Sequence, residues 1–189
     1  MVPIASLVLP IVVAAVLVFI ASSLIHMLLG YHAGDLSRFP QEEETLDALR
    51  QLHIPPGDYA APRPNSMSDM NSPEFIEKAK RGPLVLMTIS DGGSGGVGAN
   101  LAQWFVYSIV IGVFVAYVTG RVLGPGADYL DVFRLAGTSA FLAYALAVPQ
   151  QSIWFRRRWR TTLLTMFDGL VYALLTAGAF GWLWPTLQG

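Results

Sequence analysis

Two residues carry chemistry in an otherwise apolar setting: Asp168, within "TTLLTMFDGLVYALLTAGAFGWLWP" (161 to 185), and His26, within "IASLVLPIVVAAVLVFIASSLIHMLLG" (4 to 30). A carboxyl group inside so long an apolar run is expensive to bury, and it either finds a hydrogen-bond partner or handles protons or ions. Asp168 lies eight positions beyond Arg160, about 12 Å along a helix that rises about 1.5 Å per residue. His26 stands roughly one turn from the end of the first run, at a comparable depth. The two are expected to form an intramembrane polar pair, with Tyr107, Thr138, Ser139 and Tyr144 as further hydrogen-bonding groups. Such a pair either clamps helices together or takes up and releases protons.

Other chemistry finds less support. Gly93, Gly95 and Gly98 in "MTISDGGSGGVGAN" (87 to 100) spell G-x-G-x-x-G. A dinucleotide site, however, needs a soluble helix after the glycines and an acid about 20 residues further on, where this chain has "YVTGR". The glycines are expected to turn the chain into a bilayer, with a lipid headgroup phosphate as their one plausible ligand. His32 and His53 fall in a polar segment and are expected to be solvated, which leaves His26 alone inside the apolar runs and rules out a haem held by two intramembrane histidines. The chain has no cysteine, so disulfides, thiolate metal sites and cysteine nucleophiles are excluded. A single isolated acid does not make an aspartyl protease, which needs two that share a proton. The sequence therefore assigns no catalytic residue, no metal site and no cofactor. A bound lipid or quinone remains the one small-molecule option, with Gln150 and Gln151 beside Pro149 as its polar contacts.

The elements that position these residues follow from composition. Hydrophobic residues make up 53% of the 189-residue chain and charged residues 13%, against about 25% charged in an ordinary soluble domain. The mean hydropathy is +0.49. Four runs, 4–30, 101–120, 132–155 and 161–185, reach the roughly 20 residues needed to cross a ~30 Å hydrocarbon core. The expected fold is an all-α membrane protein: four transmembrane helices, with a segment of about 70 residues (31–100) between the first and second. No basic residue precedes the first run, so it is expected to stay as a helix rather than act as a cleaved signal, with Pro10 as its kink.

Charge orients the bundle. The turn "RRRWR", with Arg156, Arg157, Arg158 and Arg160, and the cluster Lys78, Lys80 and Arg81 lie on one side, whereas the other side receives Arg121 and Arg134. The excess of Lys and Arg on cytoplasmic flanks places the 31–100 segment in the cytoplasm and both termini outside. Trp104, Trp154 and Trp159 then fall at the inner boundary and Trp182 and Trp184 at the outer one, as an aromatic belt requires. The arginine turn is expected to touch anionic headgroups. Asp131 and Arg134, spaced i, i+3, form a surface pair.

Within the 31–100 segment, "QEEETLDALRQLH" and "NSPEFIEKAKRGP" read as short helices, the second with Ser72 as N-cap, Pro73 in its first turn and Gly82 and Pro83 as its stop. "PPGDYAAPRPNSMSDMN" between them reads as an extended linker, and "LVLMTIS" as a strand without a visible partner in this chain. The segment holds six basic and ten acidic residues, a net of −4, and the whole chain has a net charge of −1. Nucleic acid is thereby disfavoured and a protein partner favoured.

Small residues are spaced for close helix contact: Gly112, Ala116 and Gly120 in the second run, Ala136, Ala140, Ala143 and Ala147 in the third, and Gly169, Ala173, Ala177 and Gly181 in the fourth. Such stripes serve internal packing or the docking of a foreign helix. The strings "ALRQLHIPPGDY", "SPEFIEKAKRGP", "VPQQSIWF" and "FDGLVYALLTAGAFGWLWP" resemble those of small bacterial inner-membrane proteins with four transmembrane helices and no assigned activity. That resemblance implies a bacterial inner membrane and carries over no site residue. The expected function is a non-catalytic accessory or scaffold subunit of a larger inner-membrane complex, such as an energy-converting one. The alternatives are a small proton-coupled transporter or channel, built by self-association around Asp168 and His26, and a lipid or quinone binder.

Overall fold

The computed structural model describes residues 1–91 and 96–186, and the chain divides into two units, Met1–Leu36 with Val97–Gly189, and Ser37–Gly96. Four helices of the first unit are long and apolar enough to cross a membrane: Ile4–Met27, Val97–Val122, Tyr129–Phe155 and Trp159–Trp182. This is a membrane protein.

The first crossing is a 3-10 turn (Ile4–Leu7) that runs into helix α1 (Val8–Met27). Pro10 lies in the first turn of α1, where its missing N–H has no intrahelical acceptor to leave unpaired. In the second unit, helix α2 (Glu42–Gln51) places Glu42, Glu43 and Glu44 in its first turn and Arg50 in its last, the arrangement that complements the helix dipole.

Strand β1 (Gly57–Ala61) pairs antiparallel with β2 (Val85–Ile89), Asp58 opposite Thr88, and the Thr88 hydroxyl donates to Asp58 Oδ1 at 2.6 Å. The stretch read as an extended linker thus supplies the missing strand partner, because its turn residues at Pro55–Gly57 mask a short run of pairing-competent backbone. Between the strands lies helix α3 (Pro73–Arg81), where Ser72 Oγ accepts from the Phe75 amide and Gly82 ends the helix at a φ of 59°. Among the described residues of Ser37–Gly96, none is buried.

Helix α4 (Val97–Val122) is followed by α5 (Tyr129–Phe141), a π turn (Leu142–Leu146) and α6 (Pro149–Phe155). The third crossing is therefore interrupted. Pro149 cannot donate to a carbonyl four residues back and its ring crowds that carbonyl, so the turn before it widens. Arg156, left-handed at a φ of 54°, ends α6, and α7 (Trp159–Trp182) begins three residues later. Gly93 and Gly95 lie outside the described residues, and Gly98 sits in the first turn of α4.

The four crossings run up and down. At one end the Val2 amide donates to Gly120, the Gly126 amide to Pro185, and Trp184 Nε1 to the Gly124 carbonyl. At the other end Trp104 Nε1 donates to Ser22 Oγ at 2.9 Å. Between the ends the core is filled by Leu7, Ile11, Val18, Val115, Val132, Ala136, Ala140 and Phe180. Most of the small residues lie where helices meet, but Ala143 and Ala147 of the third stripe are exposed, because the π turn rotates the helix face there. A Cβ added at Gly169 would stand 2.9 Å from Ala145 Cβ and 2.9 Å from the Tyr144 carbonyl oxygen, and one at Gly120 would stand 2.6 Å from the Val2 carbonyl oxygen. Ala116, Ala173 and Ala177 are buried, while Gly112 faces Ile11 and Gly181 the ring of Tyr129.

Two tryptophans depart from the belt. Trp104 is half-buried inside the bundle and Trp184 is buried, each with its indole N–H bonded to protein, whereas Trp154, Trp159 and Trp182 are exposed.

Candidate functional site

Helix α1 stops at Met27 because the chain leaves the helical path over the next three residues: the Leu28 and Leu29 amides both reach Leu24, and Gly30 turns left-handed at a φ of 65°. A tight turn follows, with Ala33 bonded to the Gly30 carbonyl and Asp35 to the His32 carbonyl. This turn brings "YHAGD" (31 to 35) against α7.

The result is a continuous polar network. His32 lies between two carboxylates, its Nδ1 2.7 Å from Asp35 Oδ2 and its Nε2 2.7 Å from Asp168 Oδ2. The Tyr31 hydroxyl donates to Asp168 Oδ1, and the Thr161 hydroxyl donates to Asp35 Oδ1 at 3.1 Å. Arg160 donates to the Tyr31 carbonyl at 3.4 Å and sits 3.9 Å from Asp35 Oδ1. Only 3% of the Asp168 side chain is exposed, against 12% for His32 and 14% for Asp35, so these bonds are made largely away from water. His26 stacks on His32 with ring centroids 4.6 Å apart and planes 3° from parallel, and its Nδ1 lies 3.0 Å from the Ser22 carbonyl.

Burial disfavours the charged form of His32, but the hydrogen bonds to Asp35 and Asp168 outweigh it and raise its pKa above the ordinary histidine value. Burial pushes Asp35 up in the same way, and His32, Thr161 and the Arg157 charge prevail to hold its carboxyl below the usual range. Burial, reinforced by the bond to Asp168, raises the Tyr31 phenol to about 12. Asp35 is thus held as a carboxylate and Tyr31 as a neutral phenol, and the protonated form of His32 is favoured relative to a free histidine.

The expected pairing of Asp168 with His26 is corrected by this geometry. The bonded partners of Asp168 are Tyr31 and His32, and His26 contributes a stacked ring. His32, expected to be solvated, is mostly buried because the turn after Gly30 folds back. His53 is exposed in the other unit. Thr138 is exposed, and Ser139 bonds the Leu135 carbonyl of its own helix. Tyr107 and Tyr144 join an aromatic cluster with Trp104 and Tyr172. Tyr172, one turn along α7 from Asp168, has a buried hydroxyl without a hydrogen-bond partner. Of the arginine turn, Arg156, Arg157, Arg158 and Arg160 are all exposed, and Arg160 takes part in the network. Asp131 and Arg134 form an exposed pair at 3.7 Å. The signal for the missed residues was a tyrosine, a histidine and an aspartate within eight positions of the end of α1, the tyrosine directly after a glycine.

No protein-family model, curated protein or solved structure matches the chain. Its chemistry is therefore read from its own geometry. The network ties the chain after α1 to the first half of α7, and it leaves the carboxylate oxygens of Asp168 both occupied. His26, His32 and Asp168 also bring one ligand atom each to within 4.8 Å of the others, a grouping that the spacing of these residues along the sequence conceals.

Proposed function

We propose that this protein is a non-catalytic accessory or scaffold subunit of a larger bacterial inner-membrane complex, such as an energy-converting one. Its four helices hold it in the membrane, and its Ser37–Gly96 unit contacts another subunit. The observation that carries this reading is that no described residue of Ser37–Gly96 is buried. A unit of that size cannot hold its shape against chain entropy without burying apolar surface, so its order is completed by what it lies on. Phe39, Met67, Leu84 and Leu86 are exposed large apolar groups available for that contact. The acidic excess of the segment argues for a protein rather than for anionic headgroups. The basic turn Arg156–Arg160 favours a cytoplasmic position for that end of the bundle, with both termini outside.

A transporter formed by self-association around Asp168 and His26 is the competing reading, supported by the buried contact of Asp168 with His32. The saturated hydrogen bonding of Asp168 favours a clamp instead. Mass measurement of the full chain, extracted from its native membrane in mild detergent, separates the two. Stoichiometric foreign membrane subunits are expected, lost on Leu86→Asp at unchanged thermal stability. A homo-oligomer with nothing else bound would overturn the accessory reading and favour the transporter.

A further inference from the structure

A cleft of about 420 Å³ opens between the last turns of α4 and the residues that lead into α1, lined by Met1, Val2, Pro3, Ile4, Tyr117 and Arg121. That volume lies within the roughly 300–1,000 Å³ of ordinary small-molecule sites. We propose that this cleft binds the phosphodiester group of an anionic phospholipid, with the Arg121 guanidinium and the Tyr117 hydroxyl as its donors.

The walls of the cleft are fixed by backbone contacts. The Val2 amide donates to the Gly120 carbonyl at 2.8 Å, and glycine permits that approach, since a Cβ at position 120 would stand 2.6 Å from the Val2 carbonyl oxygen. Pro3 is extended, and its carbonyl accepts from the Ser6 amide as the 3-10 turn Ile4–Leu7 begins. Tyr117 and Arg121, spaced i, i+4, share one face of α4, with the guanidinium carbon 5.3 Å from the centre of the tyrosine ring.

Charge points to the ligand. Besides the tyrosine ring, Arg121 meets the sulfur of Met1, which accepts from Nη1 at 3.7 Å. A ring face and a thioether place a guanidinium without neutralising it. Among the described residues no carboxylate lines the cleft or pairs with Arg121, whereas Arg134, at the same end of the bundle, stands 3.7 Å from Asp131. A phosphate oxygen pair matches the guanidinium fork in both charge and spacing. Ile4 and Tyr117 are exposed on crossing helices, so the cleft adjoins acyl chains, which favours a lipid phosphate over a dissolved one. All six residues belong to the helical unit, and the site does not rest on the accessory reading.

The test uses the full chain, purified in mild detergent, freed of lipid and titrated with phosphatidylglycerol or with phosphatidylcholine of the same acyl chains, bound lipids being counted by native mass spectrometry. Below saturation the wild type should hold more phosphatidylglycerol than phosphatidylcholine. Arg121→Gln should hold one phosphatidylglycerol fewer than the wild type, its affinity for that lipid lowered at least about tenfold, and Arg121→Lys, which restores the charge, should recover it. Arg134→Gln removes the same charge at the same end and should hold the wild-type number, which separates the cleft from a general effect of charge. Equal retention of the two lipids by the wild type, equal phosphatidylglycerol counts in the wild type and Arg121→Gln, or displacement of that lipid by inorganic phosphate at the same concentration would overturn the site.

Discussion

His32 Nε2 lies 2.7 Å from Asp168 Oδ2 although 136 positions separate them in sequence. Tyr31, the neighbouring residue, donates to the other oxygen of the same carboxylate. The costliest side chain of the fourth crossing is thus satisfied by residues that follow the first, and one contact closes the bundle between its beginning and its end. A buried acceptor that has two donors is worth most as a pair of constraints on geometry, since losing it strands both donors.

Replacing Asp168 tests that constraint. Asp168→Asn keeps an acceptor for one donor, whereas Asp168→Leu leaves the Tyr31 hydroxyl and Nε2 of His32 unpaired in a site that water scarcely reaches. Thermal or denaturant unfolding in detergent should show Asp168→Leu less stable than Asp168→Asn by about 1 to 3 kcal/mol. Equal stability of the two would mean that the carboxylate does not clamp the helices.

Close backbone approach makes a second prediction with an internal control. A methyl group at Gly169 would meet the Tyr144 carbonyl and Ala145 at 2.9 Å, whereas one at Gly178, in the same helix, would meet nothing within 4 Å. Gly169→Ala should therefore lower stability by about 1 to 3 kcal/mol through overpacking. Gly178→Ala should be neutral or stabilising by up to about 1 kcal/mol through helix propensity. Matched melting curves check the pair, and similar behaviour of the two variants would remove the contact with the π turn from the account.

The pH dependence follows from His32 and Asp35. The pKa of His32 is raised on folding, so its contribution to stability is fully present below the unfolded value of about 6.5 and is lost as pH rises through the folded value. Asp35 is lowered, so its contribution is present above the unfolded value of about 3.9 and is lost as pH falls through the folded one. The protein should be most stable between these limits and should lose stability as pH rises above about 6.5. Melting temperatures from about pH 5 to about pH 9 measure this, and His32→Gln should flatten the alkaline fall. A wild-type curve that rises with pH above about 6.5 would contradict the raised pKa of His32.

Much of the helical unit was legible because an apolar run of sufficient length has one stable form in a bilayer. The break in the third crossing was less so, since Pro149 announces a defect but not whether the chain answers it with a kink or with the π turn at Leu142–Leu146. Pairing of Gly57–Ala61 with Val85–Ile89 was hidden because "GDYAA" has neither the alternation nor the branched residues that mark a strand. At the site, Asp168 declared itself by its cost. Its partners did not, because which histidine reaches it depends on the left-handed turn at Gly30, and one residue of backbone geometry there decides between solvent and the flank of α7.

The central claim is that the Ser37–Gly96 unit is completed by a protein surface in the native membrane. Trypsin cleavage after Lys78, Lys80 and Arg81 in α3 tests it most directly, measured on the purified protein in detergent and on opened native membranes. Cleavage tracks the population of the open form, and a unit with no buried residue among those described opens readily. The account predicts rapid cleavage of the purified protein and cleavage slower by at least roughly tenfold in native membranes, with protection lost in Leu86→Asp. Equal rates in the two preparations would contradict it.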